Sequence, residues 1–275
     1  MIYNGQETGY YRVDQLMKTE KTHIGTLFEV NAGREFHFEG HDEDKTDFRI
    51  AGHMVDAKWS QKLGGWMLPP EVIGEIALVA TADDARSVWS LGLVRVQPEY
   101  RSEGANRDKK SQLNPKGKQN IRWLWRDASL RPNVLLRLDR ELVNRIFGSR
   151  YGTQRTNGLF RAAEGMIVHR TAVATVSMQL DHQKRVRYNG GARSALAPEG
   201  FLILSGKYHA ALAAALGVEI PKADEYIAVR VVPSDEDRGA FIDGMFWRTA
   251  ARGEVITVAA PRIPEPRAKK DLEAG

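Results

Sequence analysis

Asp47-Phe48-Arg49-Ile50-Ala51-Gly52-His53-Met54-Val55-Asp56-Ala57-Lys58-Trp59 is the stretch whose reading decides the fold. Mixed apolar and polar residues run to either side of Gly52, which predicts two short strands joined by a tight turn. On a strand Asp56 and Lys58 stand two residues apart, so both side chains leave the same face. If the hairpin pairs, Asp47 reaches that face from the neighbouring strand. Two converging carboxylates offer oxygen ligands to a hard divalent cation, Mg²⁺ being the natural choice, with the Ala57 carbonyl a further ligand. Such an ion polarises a phosphoryl oxygen and lowers the pKa of water. Lys58 would orient that water or stabilise charge developing on a phosphate. Glu29, on a helix upstream, is the fourth candidate, as another metal ligand. On the pattern alone, an ordinary Asp–Lys pair on a surface hairpin is the more frequent explanation.

Working outward, residues 11–23 predict a helix ending near Thr22 or His23, and 26–35 a second helix carrying Glu29. A brief alternation follows at 35–38. Downstream, Gly64-Gly65 and Pro69-Pro70 punctuate a loop. Residues 73–81 and 88–96 are apolar and β-branched, and predict adjacent buried strands. A basic loop or helix start fills 102–118, and 121–125 closes a first unit. The class is α/β (α+β). Residues 127–132 are the best linker, dividing a unit at 1–126 from one at 133–260, with a flexible tail at 261–275. The second unit shows helical patterns at 139–147, 154–163, 172–178 and 208–216, and strands at 201–204, 226–232 and 255–259.

Composition bounds the function. The chain has 275 residues, 42% apolar and 27% charged, which suits globular domains of ordinary size. It has no cysteine, so disulfides, zinc fingers and thiol nucleophiles are excluded. Residues 1–9 lack a signal peptide's apolar stretch, and no run approaches the roughly 20 apolar residues of a membrane span. A cytoplasmic protein without membrane contact is expected. The net charge of +5 is unevenly placed: 101–126 holds eight Lys/Arg against two acids, and 150–200 eight against three. Concentrated cations of this kind suit a phosphate backbone, although a solvated basic face is the alternative for either stretch.

In the first stretch, Arg107, Lys109 and Lys110, with Lys116, most simply position a duplex by its backbone. In the second, residues 170–177, 178–181 and 182–188 are compatible with helix, turn and helix. The second helix would carry Lys184, Arg185, Arg187 and Asn189 into a major groove. Gly190-Gly191 lets the backbone turn, and Arg193 on the following loop would reach a phosphate. Trp59, Trp66, Trp89, Trp123 and Trp125 are mostly core, Trp66 being the one suspected of touching DNA. His23 fits a structural hydrogen bond better than catalysis.

Several stretches resemble the NaeI-type restriction endonucleases. They are Lys18-Thr19-Glu20-Lys21-Thr22-His23-Ile24-Gly25-Thr26 with Glu29, Arg34-Glu35-Phe36-His37-Phe38, and Ile50-Ala51-Gly52 leading into Val55-Asp56-Ala57-Lys58. Gly64-Gly65-Trp66-Met67-Leu68-Pro69-Pro70-Glu71 and Asn106-Arg107-Asp108-Lys109-Lys110 continue the similarity. It resumes at Lys184-Arg185-Val186-Arg187, Asn189-Gly190-Gly191-Ala192-Arg193-Ser194 and Pro198-Glu199-Gly200. The resemblance implies a PD-(D/E)xK nuclease domain, a mixed sheet flanked by helices, followed by a winged-helix domain like that of the catabolite activator protein. It implies Glu29, Asp47, Asp56 and Lys58 as catalytic and metal positions. It further implies cleavage of palindromic GC-rich double-stranded DNA, activated by a second DNA copy in the rear domain. The chain begins close to the first shared motif, so a helical N-terminal segment of the family is expected to be shortened or absent. A homodimer is expected, because palindromes mirror protein two-fold symmetry, and a cognate DNA methyltransferase is the expected genetic partner. A non-catalytic DNA-binding regulator and a repair nickase on the same scaffold are the alternatives.

Overall fold

Apolar residues alternate or run unbroken along most of the segment from Phe48 to Arg95, and four strands of a five-stranded sheet form there. The computed structural model describes residues 4–40, 46–104, 107–235 and 238–264. Asn106 of the basic loop and residues 265–275 of the expected tail lie outside them. The chain divides into two compact units, Leu16–Pro132, and Met1–Gln15 with Asn133–Gly275. Helix α1 (Gly5–Thr8) belongs to the second unit.

In the unit Leu16–Pro132 the end of the helix expected at 11–23 and the helix expected at 26–35 make one, α2 (Lys18–Phe36), while before it only Val13–Gln15 forms a 3₁₀ turn. Gly25 does not break α2. A glycine costs about 1 kcal/mol in a helix interior, but here small residues bring the helix close to the sheet. A Cβ on Gly25 would lie 4.0 Å from the Cβ of Trp59, and one on Gly33 3.1 Å from the Phe48 ring. Strands β1 (Phe48–Ile50), β2 (His53–Trp59), β3 (Ile76–Asp83), β4 (Val88–Arg95) and β5 (Arg122–Ser129) lie in that spatial order. The sheet is mixed: β2 and β3 are parallel, and the other pairs antiparallel. A one-turn helix α3 (Pro115–Gln119), capped by Asn114, precedes β5. Residues 127–129, expected in a linker, finish β5, and the Asp127 N–H bonds Ser90 Oγ at 2.9 Å.

Each face of this sheet has its own core. Val55, Ala57 and Leu78 pack with Ala32 of α2 and Phe48. Ala77, Val79 and Val94 pack on the opposite side with Trp66, Leu68, Val72 and Leu113. Leu68 is completely buried, and burying a side chain of that size stabilises a fold by roughly 1.5–3 kcal/mol.

The second unit contains α4 (Val134–Arg137), α5 (Arg140–Gly148), α6 (Gly152–Ala162), α7 (Arg170–Ser177), α8 (Ala192–Leu196) and α9 (Ala210–Ala215). Its strands are β6 (Ile167–His169), β7 (Phe201–Ser205), β8 (Glu225–Pro233), β9 (Ala240–Ile242) and β10 (Met245–Thr249). They form one sheet ordered β6-β8-β10-β9, with β7 also on β8. Tyr11 is buried in this unit's core with Val143, Leu159 and Phe160 and stacks on Phe147. Asn133 donates to its carbonyl at 3.0 Å. That hold explains why residues 1–15 group with 133–275 and not with the unit they precede. At the other end, residues 261–264 of the expected tail are packed: Ile263 is buried and its N–H bonds the Tyr188 hydroxyl. Residues 255–259 do not form the expected strand. The Val255 side chain is exposed, and the chain is tied at Ala260 N–H to the Ala197 carbonyl.

Candidate active site

The hairpin that carries Asp56 turns on two residues, Ala51 and Gly52, both with positive φ (49° and 79°). That backbone twist matches two strands closing antiparallel. The register pairs Phe48 with Val55, Arg49 with Met54 and Ile50 with His53. Extended by one residue, it sets Asp47 across from Asp56. On the other side of β2, Asp56 pairs with Ala77 and Lys58 with Val79. Asp56 and Lys58 therefore share the face of Trp66 and Leu68, while Val55 and Ala57 face α2.

Three of the four expected catalytic groups meet here. Lys58 Nζ stands 2.6 Å from Asp56 Oδ2, 3.0 Å from the Ala57 carbonyl and 3.8 Å from Asp47 Oδ2. Asp47 Oδ2 also accepts the Ala57 N–H at 2.6 Å, which fixes its direction. Asp56 is 4% exposed, and its Oδ2 is shut from solvent without a properly angled hydrogen bond. The ammonium thus contacts an all-oxygen set of two carboxylates and a carbonyl, which is donor chemistry that suits a hard cation. Among the described residues, no group of three or more His, Asp or Glu side chains is close enough to hold a metal by itself.

Burial pushes the Asp56 carboxyl above its ordinary range, and the Asp47 charge adds to this, while the Lys58 and Lys110 charges oppose it. Burial also raises the Glu29 carboxyl, followed by the charge on Asp47, with Lys58 opposing. Glu29 on α2 thus feels the site, although it is not gathered into a three-carboxylate cluster. His23 is exposed on the same helix.

The basic loop lies on the same unit. Arg107 and Lys109 are exposed and Lys110 is partly buried. Trp66 does not face a ligand: it is 1% exposed and its indole N–H donates to the Ala80 carbonyl at 2.8 Å. A residue given too little weight in the sequence is Arg101, counted there only as a charge. Its guanidinium donates to Ser111 Oγ (2.7 Å), the Lys109 carbonyl (2.9 Å) and the Leu68 carbonyl (3.2 Å).

In the second unit the helix expected at 182–188 is one turn of 3₁₀ helix, His182–Arg185, after a left-handed Met178 ends α7. A turn of this length cannot lie along a major groove as a recognition helix does. Lys184 pairs with Asp181 at 2.8 Å, and the partly buried Arg185 reaches Asp181 and Thr153. Arg187 and Asn189 are exposed. Arg193 is not on a loop. It lies on α8, 7% exposed, and its Nε donates to the Ile203 carbonyl at 3.0 Å, so it serves the core instead of reaching for a phosphate. A hairpin of β9 and β10 through Asp243-Gly244 was missed, although Asp-Gly between apolar runs is a strong hairpin signal. Trp247 on β10 is core.

The family model for restriction endonuclease NaeI matches residues 1–258. The chain is also 44% identical over 279 residues to the type II restriction enzyme NaeI of Lentzea aerocolonigenes, with 98% of this chain and 87% of that protein covered. With a match running through both units, the chain belongs to the restriction endonuclease NaeI family.

Proposed function

We propose that the protein is a type II site-specific deoxyribonuclease that hydrolyses phosphodiester bonds in double-stranded DNA, with Leu16–Pro132 a PD-(D/E)xK nuclease unit. The observation that carries this is the Lys58 ammonium set among Asp56, Asp47 and the Ala57 carbonyl. Those oxygens fit Mg²⁺, and Asp47, Asp56 and the Ala57 carbonyl would hold it, with Glu29 on α2 the further candidate ligand. When bound, the ion supplies polarisation of a phosphoryl oxygen and a lower pKa for water. Lys58 offsets charge developing on the phosphate during displacement. Arg107, Lys109 and Lys110 hold the duplex by its backbone.

The second unit we read as a winged-helix-like DNA-binding domain for an effector copy, using Arg187, Asn189 and, in part, Lys184 and Arg185. The chain would act in the cytoplasm as a homodimer on a short palindromic, GC-rich site, beside a cognate DNA methyltransferase that protects the host. Among the described residues no helix is long and apolar enough to cross a membrane. The test is digestion of sequenced plasmid DNA with Mg²⁺, with and without chelator, followed by mapping of the ends. Linear product with fixed ends supports a restriction enzyme. Nicked circles support a nickase instead, and intact DNA that is nevertheless bound supports a regulator.

A further inference from the structure

Lys109 has φ of 58°, a left-handed backbone that a non-glycine residue adopts only where its surroundings enforce it. Arg101 holds the segment at this point. The Arg101 guanidinium bonds the Lys109 carbonyl, Ser111 Oγ and the Leu68 carbonyl together. The backbone adds to the clamp. Leu68 and Ser111 exchange N–H···O bonds of 2.9 and 3.1 Å, and the Ser102 N–H bonds the Gln112 carbonyl at 2.8 Å. Leu68 in turn packs with Ala77 and Val79, the β3 residues directly beside Asp56 and Lys58. The segment holding Lys110 is therefore bolted to the sheet face that carries the nuclease site.

Building on the nuclease reading above, we infer that Arg101 is a positioning residue, and that the group it positions, Lys110, contacts the phosphate being cleaved at the Asp56 side of the site. Lys58 approaches from β2, and Lys110 from the basic loop. Water forms the new P–O bond and gives up a proton to solvent while the bond to the 3′ or 5′ oxygen breaks and that oxygen takes up a proton, and negative charge gathers on the non-bridging oxygens between. A second ammonium there stabilises the transition state more than it stabilises the ground state. An arginine is needed at 101 because three acceptors in different directions call for a planar fork, which a lysine point charge cannot replace.

The test compares Lys110→Gln, Lys110→Arg, Arg101→Lys and the double variant Arg101→Lys/Lys110→Gln in full-length protein, on a plasmid or oligonucleotide the wild type cuts. Lys110→Gln should lower kcat roughly 100-fold with KM changed less than about twofold, and Lys110→Arg should recover part of it. Arg101→Lys should lower kcat roughly tenfold, since small misplacements are costly. The double variant should be no worse than Lys110→Gln, because Arg101 acts through Lys110. Ser111→Ala is the milder probe of the same clamp should Arg101→Lys fold poorly, with a smaller kcat loss that also vanishes in the Lys110→Gln background. A readout without metal or DNA is trypsin cleavage after Lys109 and Lys110, which should speed up in Arg101→Lys and Ser111→Ala. Multiplying losses in the double variant, a Lys110→Gln effect confined to KM, or an Arg101→Lys enzyme with normal kcat would each overturn the inference. Wild-type protein that fails to cut any DNA with Mg²⁺ defeats the nuclease reading instead, and the trypsin result still tests the clamp.

Discussion

The two units treat charge in opposite ways. In Leu16–Pro132 the decisive charge is enclosed: Asp56 is almost fully buried, its carboxyl raised by burial, with one ammonium pressed against it. In the second unit several cations stand at the surface matched to acids. Arg161 forks onto Glu199, Arg230 meets Glu164, Arg248 meets Glu254, Arg170 meets Asp224, and Lys184 meets Asp181. Arg155 bonds backbone carbonyls and Arg193 serves the core. The two basic stretches look alike when charges are counted along the sequence. They differ in what is left to meet DNA: in the second stretch Arg150, Arg187 and Asn189 stand exposed outside these pairs. Buried charge held at a cost marks chemistry, whereas surface charge that is paired adds little.

The sharpest way to break this contrast is Asp56→Asn. Cleavage should fall by several orders of magnitude while DNA binding in Ca²⁺ is retained. The same change should stabilise the metal-free protein. A carboxyl whose folded pKa lies above its unfolded one favours the fold when protonated, and that stability is lost as pH rises through the folded pKa. Wherever Asp56 is ionised, its charge is therefore a burden, and the amide removes it. A rise in Tm of roughly 1–4 °C in chelator, with Mg²⁺ stabilising the wild type but not the variant, is the expected outcome. A variant that loses Tm and keeps cleavage would mean that Asp56 is an ordinary structural ion pair.

The nuclease hairpin was legible because every local signal agreed: alternation, a turn at Ala51-Gly52, and Asp56 and Lys58 at a spacing of two. The same holds for β3 and β4, which form the centre of the sheet. Helix α2 was misread as two because Gly25 looks like a stop, whereas its missing Cβ is what lets the helix approach Trp59. The short turn at His182–Arg185 was misread because Asp181, Lys184 and Arg185 have helical spacing. Those charges close a single turn, and the chain then leaves through Gly190 with φ of 72°. The parity of Asp47 with Asp56 is local and could be read. The Arg101 clamp joins residues 68, 101, 109 and 111 and depends on tertiary contacts, so no local pattern announces it.

A smaller effect should separate Arg187, an open cation of the second unit, from the paired ones. Arg187→Ala should weaken response to an added site-bearing oligonucleotide, by about 1–3 kcal/mol if it reads a base and less for a phosphate. Arg185→Ala should mainly lower thermal stability, because that side chain is partly buried against Thr153 and Asp181. Cleavage of one-site and two-site plasmids, with and without oligonucleotide, reads the first effect, and thermal melting the second. If both variants lose activation equally at unchanged Tm, pairing does not decide which cations reach DNA.

The smallest effect is expected from Glu199→Gln, which frees Arg161. The two form a forked pair at 2.7 and 2.8 Å, each side chain nearly half exposed, so the pair contributes at most about 1 kcal/mol. Arg161 holds the Glu199 carboxyl below its ordinary range. A depressed folded pKa means that the contribution is present at neutral pH and disappears as pH falls through it. The variant should thus melt at most roughly 4 °C lower at pH 7, with the gap closing in acid. Arg161 also lines a cleft of about 660 Å³ between α5 and α6, together with Arg145, Gln154 and Asn157. Released from Glu199, it adds one cation to that cleft. Affinity for non-specific duplex should then rise slightly, and the slope of log affinity against log salt should steepen by about 0.9, the value for one more phosphate neutralised. Plasmid cleavage at saturating Mg²⁺ and DNA should not change, because the nuclease face lies in the other unit. An unchanged salt slope would show that the α5–α6 cleft does not meet DNA. A lost cleavage rate would show that the pairing in the second unit serves the nuclease after all.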